Sequence, residues 1–225
     1  MRPPASRPPL PRAVRLGNLG VRLGLAVIAD RIVVEGAEHV PDEPSVILAS
    51  NHLSILDPPV LTVTIARLIC RQVRYMAKAE AFDVPLLGTV LRAYGGFAVR
   101  RGRADREAYR AAREVLESGA WLGLAPEGTR SRSGHLGEPK SGVALLAIRS
   151  GATVLPVGIS GTERAWPVGA RLPRPGRTMT VRFGMAYRPA DASGADRRQE
   201  VEVASEALMR AIAALLPPSY RGRFG

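Results

Sequence analysis

The 225-residue chain has little of the chemistry that disulfides and metal sites need. Cys70 is its only cysteine, so an internal disulfide and a Cys-x-x-Cys metal site are both excluded. The three histidines, His39, His52 and His135, are widely spaced, and no His-x-x-x-His or His-Glu pattern offers zinc two ligands on one helix face. The sequence therefore predicts no metal site, and a reducing compartment fits it.

The chain also lacks an apolar run of the roughly 18 to 20 residues that a membrane-spanning helix needs. Its most apolar N-terminal run, LGNLGVRLGLAVIADR, is shorter and contains Arg22, and no secretory signal is visible. Two interpretations of this segment stay open. It is either an amphipathic helix packed on the domain, or one that lies in a membrane interface with Leu16, Leu19, Leu23 and Ile28 toward the acyl chains.

Lysine and aromatic residues are scarce, while arginine is abundant. Lys78 and Lys140 are the only lysines, yet the net charge is +12 and the sequence pI is about 11.1. Such a charge favours an anionic partner, which is a nucleic acid, an anionic membrane surface or a small phosphorylated substrate. A coding bias toward arginine explains the composition equally well, so the charge alone does not choose among these.

The order of apolar segments predicts a single α/β domain. Short strand-like runs alternate with helical patterns of ten to fifteen residues, which favours a mixed, largely parallel sheet flanked by helices. An amphipathic helical segment precedes this sheet. We assign residues 1–12 to a disordered basic, proline-rich tail, residues 13–216 to the domain and residues 217–225 to a C-terminal tail.

Polar residues follow three of the predicted strands. Asn51 and His52 follow PSVILAS, Arg100 and Arg101 end GGFAVRR, and residues 127–131 (Glu-Gly-Thr-Arg-Ser) follow WLGLAP. In such sheets ligands bind beyond the carboxyl ends of the strands, so these groups converge if the strands are neighbours. The arginines suit a phosphate, and Lys140 stands just before a predicted helix, where a cation and a helix N-terminus both favour an anion.

His52 and Asp57 are separated by five residues, which would place them on different faces of one regular helix. They meet if His52 lies in a strand-to-helix turn and Asp57 caps a helix that Pro58 and Pro59 open. Asp57 then orients His52 as a base. The alternatives are a plain helix cap with a loop histidine, or a serine nucleophile at Ser54, although no Gly-x-Ser-x-Gly elbow surrounds it.

Four motifs in order resemble those of the glycerolipid acyltransferase family, over residues 44–160. Asn-His-x-x-x-x-Asp is matched by Asn51, His52 and Asp57, and a Gly-x-Phe strand ending in arginine by GGFAVRR with Arg101. APEGTRS and VLPVGI match the third and fourth motifs. Ala125 replaces the family's usual phenylalanine and Ala98 stands where many relatives carry proline or a bulkier residue. Both exchanges are at apolar positions, so they bear on the shape of the pocket and not on the chemistry.

The resemblance implies an enzyme of phospholipid biosynthesis. It implies transfer of an acyl group from acyl-CoA or acyl-carrier protein, with no cofactor, to the sn-2 hydroxyl of 1-acyl-glycerol-3-phosphate, which gives phosphatidic acid. His52 would be the general base, oriented by Asp57, and backbone amides would stabilise the oxyanion. The residues expected to bind substrate are Asn51, Arg101, Glu127, Gly128, Thr129, Arg130, Ser131 and Lys140, with Arg101 and Arg130 on the phosphate.

The expected partners are therefore a lysophospholipid, the thioester donor and an anionic membrane surface, at the cytoplasmic face of the cell membrane. No nucleic acid is expected, because aromatic residues make up only 5% of the chain and no nucleic-acid motif is present. Two alternatives remain: an acyltransferase for another lysophospholipid or specialised lipid, and a basic protein that binds lipid or nucleic acid without catalysis.

Overall fold

A computed structural model describes residues 10–99, 104–190 and 196–225, so Arg100 and Arg101 lie outside the described residues. Strands and helices alternate along this part of the chain, as the apolar runs predict. The strands are β1 (Ala29–Glu35), β2 (Val46–Ser50), β3 (Val73–Lys78), β4 (Phe97–Val99), β5 (Trp121–Leu124), β6 (Thr153–Ser160) and β7 (Arg177–Phe183).

The helices begin and end close to the proline, glycine and capping signals of the sequence. Pro85 opens one helix, Gly151 ends another in the left-handed conformation, and the Asp196 side chain accepts the Gln199 N–H at the start of the last. The helices are α1 (Arg12–Ile28), α2 (Asp57–Ile69), α3 (Ala79–Asp83), α4 (Pro85–Ala93), α5 (Ala104–Glu117), α6 (Gly142–Ser150), α7 (Thr162–Ala165) and α8 (Arg197–Ala214).

The described strands form one sheet in the order β1-β7-β6-β2-β5-β3-β4. The five strands from β6 to β4 are parallel to one another, β7 runs antiparallel to β6, and β1 runs parallel to β7. The predicted fold class, a mixed and largely parallel sheet flanked by helices, is confirmed. The carboxyl ends of the parallel strands meet at one edge of the sheet, where ligands bind in folds of this kind.

Two of the three strands expected to carry the site are neighbours. β2 pairs with β5, whereas β3 separates β4 from β5. Since neighbouring strands lie about 4.8 Å apart, the end of β4 is roughly 10 Å from that of β5. The end of β4 is therefore set apart from His52, which follows β2.

Helices cover both faces of the sheet. α1 and α2 bury Leu25, Val60 and Leu61 on one face, while α5, α6 and α8 pack on the other face. Every residue of β2 is buried, which explains why its sequence is a continuous apolar run instead of an alternating one. The middle of the sheet is thus a rigid support for the turns at its edge.

Residues 217–225, which the sequence assigns to a tail, pack against the domain. They form two short 3₁₀ helices, Pro218–Tyr220 and Gly222–Phe224, and bury Tyr220 and Phe224 in the core beneath α8. Two aromatic rings bury enough apolar surface to hold so short a segment. The sequence does not predict this packing, because the segment is short and contains arginines.

The N-terminal amphipathic segment is helical, as expected, and α1 packs on α2. None of the helices in the described ranges combines the length and the apolar character needed to cross a bilayer.

Candidate active site

His52 and Asp57 meet in the turn between β2 and α2. β2 ends at Ser50, α2 begins at Asp57, and His52 Nδ1 lies 2.8 Å from Asp57 Oδ2. The sequence predicts that Asp57 is the N-terminal cap of this helix. Instead Leu56 occupies that position and Asp57 is the first helical residue, so its carboxylate turns back toward the loop and not onto the helix.

The Asp57 carboxylate is buried and surrounded by hydrogen-bond donors. Oδ2 accepts the backbone N–H of Leu53 at 2.7 Å and of Ser54 at 2.8 Å, in addition to His52. Because a carboxylate can only accept, the His52 nitrogen that faces it carries the proton. The other ring nitrogen, Nε2, is then unprotonated in the neutral ring and free to accept a proton.

Thr162 completes this arrangement, although it was not among the residues expected from the sequence. Its hydroxyl donates to Asp57 Oδ1 at 2.5 Å, and the residue is fully buried. The preceding Gly161 has φ of +89°, and a Cβ there would lie 2.2 Å from the Thr178 carbonyl oxygen, so the turn requires glycine. Thr162 follows the carboxyl end of β6, so the rule that found His52 and Glu127 would have found it too.

The C-terminal segment supports the same turn. The Tyr220 hydroxyl donates to Glu163 Oε1 at 2.7 Å, while Glu163 Oε2 accepts the Gly161 N–H at 3.0 Å. The Tyr220 carbonyl also accepts the N–H of Leu136 at 2.8 Å, in the loop that follows β5. Residues far apart in sequence thus hold the two loops that flank His52.

Asn51 has a different position from the one expected of a substrate ligand. Its amide nitrogen donates to the Ile159 carbonyl at 2.9 Å, and its amide oxygen accepts the Ile159 N–H at 2.7 Å. The residue is 2% exposed. Both polar ends of the side chain therefore tie the His52 loop to β6, and the structure gives Asn51 a supporting position.

Glu127 is also a support. Its carboxylate accepts the His52 N–H at 3.0 Å through Oε1 and the Gly137 N–H at 2.9 Å through Oε2, and the residue is 5% exposed. Burial raises the pKa of Glu127, and these two backbone hydrogen bonds oppose the rise. The expected contact with substrate hydroxyls is not what this geometry favours, because both oxygens already hold the backbone.

In the turn that follows Glu127, some residues support the His52 loop and others are exposed to the pocket. Ser131 donates its backbone N–H to the His52 carbonyl at 2.7 Å, and Gly128 has φ of +68°. Thr129 and Arg130 are exposed and line the pocket beside His52. Lys140 lies over Gly128, with its amine 3.0 Å from where a Cβ would stand.

Ser54 does not have the environment of a nucleophile. It is fully buried, and its hydroxyl donates to the Trp166 carbonyl at 2.7 Å while accepting the Leu56 N–H. A serine nucleophile needs a hydroxyl in contact with the base and open to substrate. The structure therefore removes the serine-nucleophile alternative.

A pocket of about 580 Å³ opens beside His52, within the size range of small-molecule sites. Its apolar wall is formed by Ile55, Leu61, Tyr75, Met76, Leu124 and Val168. Thr129, Arg130 and Arg132 give it a polar, cationic side, and Arg132, like Thr162, was not among the residues expected from the sequence. A pocket that is apolar on one side and cationic on the other fits an anionic amphiphile.

Tyr75 closes the floor of this pocket. A Cβ at Gly123 would lie 2.1 Å from the Tyr75 ring, so glycine at that position leaves room for the ring against β5. Burial raises the pKa of Tyr75 well above its ordinary value. The phenol therefore stays protonated at neutral pH.

Within the described ranges, no three His, Cys, Asp or Glu side chains come together in a way that would hold a metal ion.

Comparison with known proteins links this site to one family. The family model described as Acyltransferase matches residues 31–160. The 1-acyl-sn-glycerol-3-phosphate acyltransferase of Pseudomonas aeruginosa is 30% identical over 204 residues, which cover 89% of this chain and 76% of that protein. The crystal structure of the 1-acyl-sn-glycerophosphate acyltransferase PlsC from Thermotoga maritima superposes with a TM-score of 0.66 and 26% identity, covering 87% of this chain and 78% of that one.

A further relative is longer than this chain. The 1-acyl-sn-glycerol-3-phosphate acyltransferase of Borreliella burgdorferi is 32% identical over 146 residues. The match covers 64% of this chain and 56% of that protein, so this chain spans little more than half of the relative's length.

The raised pKa of Glu127 predicts a pH-dependent stability. The folded chain holds the proton more tightly than the unfolded chain, so this contribution is full below pH 4.5 and is lost as pH rises through the raised pKa. Glu127→Gln stays neutral and lacks this loss. We expect the stability of the natural protein relative to Glu127→Gln to fall over that window, measured by urea unfolding. A difference that stays constant with pH would contradict the pKa shift.

Proposed function

The chain belongs to the acyltransferase family, and we propose that it transfers a fatty acyl group to the free sn-2 hydroxyl of 1-acyl-glycerol-3-phosphate, giving phosphatidic acid. The observation that carries this proposal is the buried Asp57, bonded to His52 at the mouth of a pocket that is apolar on one side and arginine-rich on the other. The donor is a thioester, which is either acyl-CoA or acyl-carrier protein, and no cofactor takes part.

In the first step His52 Nε2 takes the proton of the acceptor hydroxyl while the hydroxyl oxygen attacks the thioester carbonyl carbon. The ring then carries two protons, and the Asp57 carboxylate beside Nδ1 stabilises the positive charge. The carbonyl oxygen becomes an oxyanion in a tetrahedral intermediate. Backbone amides near the pocket are the groups we propose for stabilising it.

In the second step the carbon–sulfur bond breaks as the oxyanion reforms the carbonyl. The leaving thiolate takes the proton from His52 Nε2, so the ring returns to its neutral form and the new ester is released. No covalent enzyme intermediate is required. The buried, occupied hydroxyl of Ser54 and the position of Cys70 outside the pocket agree with a direct transfer.

The cationic side of the pocket is proposed to bind the acceptor phosphate. Arg130 lines the pocket and is exposed, and Arg132 lies beside it. Arginine binds phosphate with two parallel hydrogen bonds, which orients the glycerol as well as attracting it. Arg101 remains our second proposed phosphate ligand, since the segment that contains it follows the parallel strand β4. Asn51 and Glu127 act through the His52 loop that they hold.

The apolar wall of the pocket is proposed to accept an acyl chain. Helix α1 is proposed to place the domain at an anionic membrane on the cytoplasmic side. The α1 surface exposes Leu16, Leu19, Leu23 and Val27, between 51% and 76% of each. Exposed leucines spaced by three and four residues form a stripe along one side of the helix. A stripe beside arginines suits an interface between lipid and water.

Removing the base or its partner tests the mechanism. We expect His52→Ala to lower kcat by about 10²- to 10⁴-fold and Asp57→Asn to lower it strongly as well, because general-base catalysis supplies that factor. Purified protein in detergent receives labelled acyl-CoA and lysophosphatidate, and mass spectrometry identifies the product. Binding of the lysolipid should persist.

His135→Ala is the control for that experiment, because His135 is exposed and does not line the pocket. Unchanged turnover in His52→Ala would disprove the assignment. Lipid binding without any turnover in the natural protein would favour a lipid-binding scaffold. Tight, salt-sensitive DNA binding without turnover would favour a nucleic-acid-binding protein.

Thr162 is proposed as a positioning residue that acts through Asp57. A hydrogen bond to a charged group contributes about 1.5–3 kcal/mol, so Thr162→Val should lower kcat by roughly tenfold or more with little change in the acceptor KM. Thr162→Ser keeps the hydroxyl and should recover most of the rate. Equal losses in the two variants would indicate a packing effect instead.

The phosphate proposal predicts a selective effect of Arg130→Gln. The acceptor KM should rise by about tenfold or more with lysophosphatidate, because an ion-paired hydrogen bond to phosphate is lost. Arg210→Gln, an exposed arginine on α8, is the matched control. The same variants are assayed with a panel of lysolipid acceptors. Turnover restricted to acceptors without a phosphate would overturn the roles given to Arg101 and Arg130.

A further inference from the structure

A second cavity, distinct from the active-site pocket, lies between α1, β1 and α2. We call it the α1–β1 groove; its volume is about 620 Å³. Each of its three walls contributes one arginine: Arg22 from α1, Arg31 from β1 and Arg67 from α2. None of these residues lines the active-site pocket.

The arginines of this groove are available to a ligand. All three are exposed, and within the described part of the chain none of them forms an ion pair. Asp30 is the one acidic residue among the described residues that line the groove. The lining therefore has an excess of two positive charges, held in a concave surface that strengthens their attraction for an anion.

Apart from Thr64, the rest of the lining is apolar. Leu25 and Val63 are buried at its floor, and Val34 and Leu68 are each 38% exposed at its rim. The outer surface of α1 next to the groove carries the exposed leucine stripe described above. An anion that binds among the arginines therefore also lies close to apolar surface.

One end of the groove lies at the same sheet edge as the active site. Val33 of β1 is in register with Thr180 of β7, and Thr180 pairs with Ser160, the last residue of β6. Residues 29–32, which line the groove, consequently stand beyond the carboxyl end of β6, where Thr162 begins α7. A membrane that covers this edge is in reach of both cavities.

We propose that the α1–β1 groove binds the headgroup of an anionic membrane phospholipid, with the phosphate among Arg22, Arg31 and Arg67 and the acyl chains along the leucine stripe of α1. Charge complementarity selects an anion, and the apolar rim selects an amphiphile over a nucleic acid, whose backbone offers no apolar surface. The groove is thus a second lipid site that is separate from the one where acyl transfer takes place.

This inference deepens the proposed membrane association and rests on it, but it does not depend on the reaction. A lipid held here is neither donor nor acceptor. It orients the domain so that the edge carrying His52 faces the bilayer.

Vesicle binding tests the groove directly. The natural protein and the triple variant Arg22→Gln/Arg31→Gln/Arg67→Gln are sedimented with phosphatidylcholine vesicles that do or do not contain about one third phosphatidylglycerol. Each arginine near an anionic surface changes affinity by about fivefold, so the triple variant should lose roughly a hundredfold on the anionic vesicles. Binding to pure phosphatidylcholine should be weak for both proteins.

The control is Arg106→Gln/Arg197→Gln/Arg210→Gln, which removes the same number of charges from exposed positions on α5 and α8, across the sheet. It should lose much less affinity. Ala26→Trp fills the groove without changing its charge, and it should weaken binding to anionic vesicles as well. Thermal unfolding curves check that every variant folds.

Equal losses in the two triple variants would overturn the proposal and indicate a diffuse attraction by net charge. Full binding by Ala26→Trp would also overturn it, as would weaker binding to DNA in the groove variant with no change on vesicles. The turnover of a detergent-dispersed acceptor, measured on the same proteins, reports separately on the proposed reaction. Loss of turnover in the natural protein, with vesicle binding intact, would reject the reaction and keep the groove.

Discussion

The site depends on one buried charge, the carboxylate of Asp57. Removing a carboxylate from water costs several kcal/mol unless hydrogen bonds replace the lost hydration. Here the replacement comes from two parts of the chain: the His52 ring with the backbone of Leu53 and Ser54, and the hydroxyl of Thr162. Losing any of these donors would leave the buried charge less well solvated, so each donor is held in place. The hydrogen bond to Asp57 also sets the orientation of the His52 ring.

The same constraint explains why polar residues near the site divide into two groups. Asn51, Glu127 and Ser131 hold the His52 loop to β6 and to the turn after β5, through hydrogen bonds to backbone atoms. Arg130 and Arg132 are in the open pocket. A buried polar side chain must form its hydrogen bonds within the protein, whereas an exposed one can form them with a ligand. Burial therefore separates supporting residues from candidate ligands.

Much of the fold could be predicted from the sequence, because apolar runs, prolines and glycines mark the strands and helices locally. The contact of His52 with Asp57 was predictable for the same reason, since one strand-to-helix turn contains both. The role of Thr162 and the two hydrogen bonds between Asn51 and Ile159 depend on which strands are neighbours, and no single segment of the sequence gives the strand order. The packing of Tyr220 likewise needs the finished core. The sequence predicts that Glu127 belongs to the site. Its position in the sequence cannot show whether its side chain binds substrate or holds the His52 loop.

The position of the two cavities at one sheet edge suits the physical nature of the proposed substrate. Moving an acyl chain from a bilayer into water costs about 0.8 kcal/mol for each CH₂ group, so a chain of sixteen carbons loses more than ten kcal/mol on the way to a site in solution. An enzyme avoids this cost only if its pocket opens where the lipid already lies. β1 and β6 bring the end of the α1–β1 groove and the turn carrying Thr162 to one sheet edge. Because the strand register fixes that arrangement, a lipid bound in the groove holds the catalytic edge against the membrane without any movement of the sheet.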